Sequence, residues 1–362
     1  MSGAIDVASQ VYRHFLDRGG VGTPAAELIE SHLRAERPLL TAAELQELVQ
    51  TVRRRFDGLG PLEDLLADPT ISEIMVNAGV VWQEREGVLE RTSVYLDGPS
   101  VSRLIDRLVA FGGTRVDRAS PFVDVRLADG SRANVVVPPV SIDGPVVTIR
   151  RFVLRRASLS DFCTPTQSQV LAAAVTAKRG IIVFGGTGAG KTTLLNALAS
   201  QIPVAERIVT IEDTAELRLE HPHVVRLEAR RANGDGAGAV TIGELVRNAL
   251  RMRPDRIVVG EVRGPEVLDM VQAMNSGHAG SMSTCHANSP RDALRRLEAM
   301  AVMGGELPLG FVRSQLSTAV GVLVEVGRCS AGRRRVKAVM GVHEDADWGS
   351  GEGLIDLQAE QR

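Results

Sequence analysis

Eight residues near the middle of the chain, Gly185-Gly186-Thr187-Gly188-Ala189-Gly190-Lys191-Thr192, place glycines, one lysine and a hydroxyl at the G-x-x-x-x-G-K-[ST] spacing. These are the residue types that capture phosphate. Glycines let backbone N–H groups curl around phosphate oxygens, and a following helix presents its positive N-terminal end. Lys191 would reach the β and γ phosphates, the Thr192 hydroxyl can ligate Mg²⁺, and Thr193 completes the nucleotide-binding set. The context agrees: the apolar run 181–184 precedes the loop, and Leu194, Leu195 and Leu198 follow at helical spacing.

Phosphate capture alone is binding; hydrolysis also needs carboxylates that hold Mg²⁺ and orient an attacking water. Two candidates end apolar runs: Glu212-Asp213 after 208–211, and Gly260-Glu261 after 257–259. In an open parallel sheet, residues just past the carboxyl ends of strands face the ligand crevice. The usual motif puts Asp at the end of such a strand, but Gly260 takes that place and the carboxylate comes one residue later. Glu261 is therefore assigned to polarising water, and Glu212 to holding Mg²⁺ or helping position the same water. A third segment, from Ser276 to Ser289, carries His278 and His286 at the two ends of one apolar run. Either histidine could sense the γ-phosphate, bridge a subunit contact or serve structure alone; a metal site is disfavoured because no further Cys or His stands at ligand spacing.

The elements needed to position these groups can be read from periodicity. Short apolar runs at 180–184, 207–211, 224–227, 256–259 and 280–285 alternate with helical patterns at 165–177, 192–200, 242–251 and 265–275, which predicts a parallel sheet. Runs at 320–326 and 335–342 predict two closing strands around a polar turn. Upstream, Thr41 and Glu44 form a capping-box pattern ahead of Leu45, Leu48, Val49, Val52 and Phe56. Hairpins are expected around Glu86-Gly87 and Asp129-Gly130, with a helix over 103–111 and a strand over 145–151. The expected organisation is a helical segment 1–57, an α+β domain 58–153, a linker 154–162, a phosphate-loop domain 163–343 and a loose tail 344–362.

Taken together, the phosphate loop, the Ile211-Glu212-Asp213 box, Arg253-Pro254-Asp255-Arg256 leading into Val259-Gly260-Glu261-Val262-Arg263, and the histidine segment resemble the secretion ATPases of type II, type IV pilus and type IV secretion systems. The likeness is nearest to the CpaF/TadA-type ATPases of tight-adherence (Tad) pili and spans about residues 59–344, including Gly60-Pro61-Leu62, Ile71 to Asn77, Asp129 to Arg132, Pro138-Pro139 and Thr148 to Phe152. The resemblance implies an α/β fold: a RecA-like ATPase domain preceded by a smaller α+β domain and a short helical segment. It implies ATP with Mg²⁺, a homohexameric ring, and Arg132 and Arg150 as γ-phosphate arginines, which could equally make salt bridges at the hinge. The implied partners are an inner-membrane platform protein and, indirectly, pilin, with the ring peripheral at the cytoplasmic face of the membrane. A transport ATPase of type IV secretion or conjugation is the alternative within the same class. The region before Gly58 is shorter than the helical bundle of many relatives, and the four-cysteine metal module of some pilus-assembly ATPases is lacking.

Composition narrows the field. The 362 residues hold 42 basic and 44 acidic side chains, a net charge of -2, and 3% aromatics, which disfavours a motor gripping nucleic acid by its phosphates and stacking on its bases. Lys178, Lys191 and Lys337 are the lysines, too few to supply the Asn-Lys-x-Asp guanine motif of GTPases. Cys163, Cys285 and Cys329 stand far apart, which suits a reducing compartment. No window nears the length of a membrane span.

Overall fold

The computed structural model describes residues 2–17, 24–151, 157–230, 238–305, 307–329, 333–347 and 352–358. They separate into two units, Met1–Val153 and Leu154–Arg362, each with its own sheet.

The first unit opens with helices α1 (Ser2–Asp17), α2 (Ala26–Glu36) and α3 (Ala42–Asp57). The capping box at Thr41 is formed: its side chain accepts from Glu44 N, and Glu44 Oε2 accepts from Thr41 N. Val11, Tyr12, Ile29, Leu33, Leu48, Val52 and Phe56 bury together, giving these helices a core of their own. After a 3₁₀ turn and α4 (Glu63–Ala67) come β1 (Ile71–Asn77), β2 (Val80–Arg85), β3 (Val88–Tyr95), α5 (Gly98–Gly112), β4 (Phe122–Arg126), β5 (Arg132–Val136) and β6 (Val146–Arg150). The strands form one antiparallel sheet in the order β3-β2-β1-β6-β5-β4. Glu86 and Gly87, both at positive φ, make the expected β2–β3 turn. Helix α5 begins five residues before the predicted start because the Asp97 carboxylate caps it by accepting from Ser100 N.

The second unit runs α6 (Leu159–Phe162), α7 (Pro165–Thr176), β7 (Ile181–Phe184), α8 (Lys191–Ala199), β8 (Ile208–Glu212), β9 (Val224–Glu228), α9 (Ile242–Ala249), β10 (Arg256–Val259), α10 (Glu266–Asn275), β11 (Met282–Cys285), α11 (Pro290–Val302), α12 (Leu309–Ala319), β12 (Val322–Arg328), β13 (Arg334–Asp347) and β14 (Glu352–Asp356). The sheet order is β14-β13-β12-β7-β11-β10-β8-β9, parallel from β12 to β9 and antiparallel at β13 and β14. Alternate residues of β7 feed two cores. Ile182 and Phe184 join α9 to α12 on one face, while Ile181 and Val183 join α6 to α8 on the other. A strand buried on both faces reads as a continuous apolar run, which is how β7 was legible. Each such fully buried side chain contributes roughly 1.5–3 kcal/mol, so the strand carrying the phosphate loop is firmly held.

Two stretches differ from the sequence reading. The segment expected as a linker includes α6, whose Leu159 and Phe162 are buried with Cys163 in the second unit's core; residues 154–156 lie outside the described ones. The tail expected to be loose contains the end of β13 and strand β14, whose Leu354 and Ile355 pair with Val342 and Gly341. Gln358 then accepts from Gln167 Nε2 at 2.9 Å.

Candidate functional site: the phosphate loop and its acidic neighbours

The loop between β7 and α8 has the backbone that the glycines were expected to supply. Gly185, Gly188 and Gly190 take φ values of +157°, +68° and +97°, a region L side chains rarely adopt. Gly190 is the residue before α8, so the loop delivers its amides at the helix's positive end. Gly186, Thr187 and Gly188 are exposed, while Ala189 and Lys191 are buried. Lys191 Nζ donates to the Gly185 and Gly186 carbonyl oxygens at 3.2 and 3.1 Å, which holds the ammonium in the middle of the loop. Burial lowers its pKa from the ordinary lysine value, with the Glu261 carboxylate acting in the opposite sense.

Parallel register brings the predicted acidic and histidine residues to the same sheet edge. Glu212 closes β8, Gly260-Glu261 follow β10, and His286 follows β11. The strand ends are tied to one another: Gly260 N donates to Ile211 O, Thr284 Oγ1 to Gly260 O, and Val262 N to Thr284 O, all within 2.8–2.9 Å. His286 joins two of the predicted groups. Its Nδ1 lies 3.2 Å from Lys191 Nζ, and its Nε2 lies 2.8 Å from Glu261 Oε1. Desolvation lowers the His286 pKa from its ordinary value, opposed by Glu261 and reinforced by Lys191, which favours the neutral ring. A neutral ring with Nδ1 unprotonated accepts there from Lys191, while Nε2 only touches Glu261 Oε1, which accepts no hydrogen bond among the described residues. Arg263 clamps the other Glu261 oxygen, with Nη2 and Nε at 2.6 and 3.0 Å from Oε2.

Glu212 is buried, and Oε1 accepts from the backbone N–H groups of Glu216 and Leu217 at 2.9 and 2.8 Å. Oε2, equally buried, accepts no hydrogen bond among the described residues. Burial pushes this carboxyl up to about 7. A buried carboxylate oxygen left open fits an oxygen-ligated cation such as Mg²⁺, and the Thr192 hydroxyl is a donor of the same class. Gly260 explains the motif's missing Asp: a Cβ there would lie 2.8 Å from Glu212 Cγ. The position is emptied so that the neighbouring strand's carboxylate can occupy the space.

His278 stands apart from this cluster. It sits before β11, at the opposite edge of the sheet from His286, where its carbonyl accepts from Ser281 Oγ. Arg132 and Arg150 lie in the first unit, directly opposite each other on β5 and β6, and Arg150 Nε is 3.6 Å from Glu73 Oε1. Sequence reasoning missed Arg263 as the clamp on Glu261, although its place two residues on was a usable signal.

Residues 55–347 match the family described as type II/IV secretion system protein. A putative conjugal transfer protein of Mycobacterium tuberculosis is 42% identical over 316 residues, which cover 83% of this chain and 89% of the relative. The type IV secretion system protein VirB11 of Brucella suis is 35% identical over 303 residues, covering 74% and 84%. Among solved structures, the pilus retraction motor PilT with bound ADP superposes with a TM-score of 0.57 at 21% identity, over 77% of this chain and 82% of its own. The ATPase DotB of Yersinia pseudotuberculosis gives 0.58 at 17%, over 83% of each. These structures share the fold: an N-terminal domain followed by a RecA-like domain.

Proposed function

The chain belongs to the type II/IV secretion system protein family, and from that premise we propose that it is an ATPase that powers substrate transport in a type IV secretion or conjugation-type system. The observation that carries the ATPase reading is the line Lys191–His286–Glu261, which joins the phosphate loop to a carboxylate at the same sheet edge. Lys191 and the loop amides grip the triphosphate. Glu261, fixed by Arg263, takes a proton from the attacking water, and neutral His286 keeps that carboxylate aligned with the lysine. Mg²⁺, held by Thr192 and Glu212, would draw charge from the phosphate oxygens. Arg132 and Arg150 of the first unit are proposed, from the family resemblance, to neutralise charge that develops on the γ-phosphate.

Transport is preferred over Tad pilus assembly because relatives at 42% and 35% identity carry conjugal-transfer and type IV secretion names. The working form is proposed to be a homohexamer acting on an inner-membrane component from the cytoplasmic side; among the described residues no helix is long and apolar enough to cross a membrane. Purified protein should hydrolyse ATP, and Glu261→Gln should lower kcat about 10²- to 10⁴-fold with ADP affinity retained. Undiminished turnover in that variant would remove Glu261 from the chemistry. Deleting the gene should abolish substrate transfer and leave pili intact; the reverse phenotype would restore the Tad reading.

A further inference from the structure

Strands β12 and β13 end against the phosphate loop, on the side of β7 away from β11, and therefore away from Glu261 and His286. Gly185 packs so tightly on β12 that a Cβ there would lie 2.2 Å from the Val326 carbonyl oxygen. Arg328, the exposed last residue of β12, brings Nη2 to 3.8 Å from where a Cβ on Gly188 would stand. Arg334, the first residue of β13, brings Cδ and Nε to 2.7 and 3.4 Å from the same position on Gly190. The two arginines are directly opposite each other across the antiparallel pair. Arg333 and Arg335 add further positive charge beside them. Two guanidinium-bearing side chains thus stand at the rim of an anion cradle. The planar fork of arginine suits phosphate oxygens in pairs.

We propose that Arg328 and Arg334 bind the α- and β-phosphates of the nucleotide from the hairpin side. This rests on the ATPase reading and deepens it. Groups over the glycines grip what ATP and ADP have in common, whereas Glu261 and His286, across β7, act on what only ATP carries.

The test is ADP binding to the full-length protein by calorimetry. Arg328→Gln and Arg334→Gln should each weaken ADP about tenfold or more and raise KM for ATP, with kcat at saturating ATP little changed. Arg333→Gln, one residue from Arg334 in the same hairpin, should bind as wild type. A second measurement needs no variant: ADP should protect Arg328 and Arg334 of the wild-type protein from phenylglyoxal, mapped by mass spectrometry, and leave Arg333 reactive. ADP affinity unchanged in both variants, or no protection of either arginine, would overturn the assignment. Wild-type protein that binds no nucleotide would instead overturn the ATPase reading itself.

Discussion

His286 stands between the Lys191 ammonium and the Glu261 carboxylate, and its protonation state decides whether it can accept from the lysine. Its pKa lies below the ordinary 6.5, so acid converts the ring to a second cation 3.2 Å from Lys191 Nζ and removes the acceptor that the lysine uses. ATPase activity should therefore fall as pH drops below about 6.5, and His286→Gln, which keeps polar atoms without titrating, should flatten that limb. The buried Glu212 titrates with the opposite consequence. Its folded pKa of about 7 exceeds the ordinary 4.5, so the folded state holds more protons in that window. Stability is fully present below about 4.5 and is lost as pH rises through about 7, by at most about 3 kcal/mol. Thermal melts of the nucleotide-free protein across this range should show that slope, and Glu212→Gln should remove most of it. Lys191 and Glu261 were legible from the sequence because their roles depend on local motif and strand end. Arg263 was within reach of the same reading, whereas the approach of Arg328 and Arg334 to the glycine loop was not, because it comes from strands distant in sequence.

At the level of elements, the departure from the usual acidic motif has a steric reason. Gly260 makes room for Glu212, whose carboxylate is pinned by two backbone amides and cannot swing aside. Gly260→Ala should cost about 1–3 kcal/mol in thermal unfolding and abolish turnover. Adding Glu212→Ala should recover stability without recovering turnover; a single variant as stable and active as wild type would sink this explanation. Strands were readable where the chain alternates or runs apolar between turn residues, as at Glu86-Gly87 and Asp129-Gly130. Helix α11 buries Ala293, Leu294, Leu297, Met300 and Ala301 at helical spacing and was legible in principle. Helix α12 buries only Val312, Leu316 and Ala319, too thin a stripe to stand out. Strand β14 is polar and glycine-containing; its conformation is set by pairing with β13, which no local pattern announces.

Across the whole molecule, the eight-stranded, mostly parallel sheet and the six-stranded antiparallel sheet sit on separate buried clusters. Calorimetry should resolve two unfolding transitions, with ADP at about 100 times its Kd stabilising the second unit by roughly 2.7 kcal/mol and moving only that transition. A single transition that shifts as one would show that the units unfold together. The family resemblance was readable because four boxes occur in order along one chain, whereas the branch within the family depends on features spread through the sequence. The thiols add a practical dimension. Cys163 and Cys285 are buried, with burial pushing them up to about 11 and about 12, whereas Cys329 is exposed and adjoins Arg328. Maleimide dyes will therefore settle on a single native position at the mouth of the glycine loop, and the unmutated protein can report the arrival of each nucleotide as a change in colour or brightness.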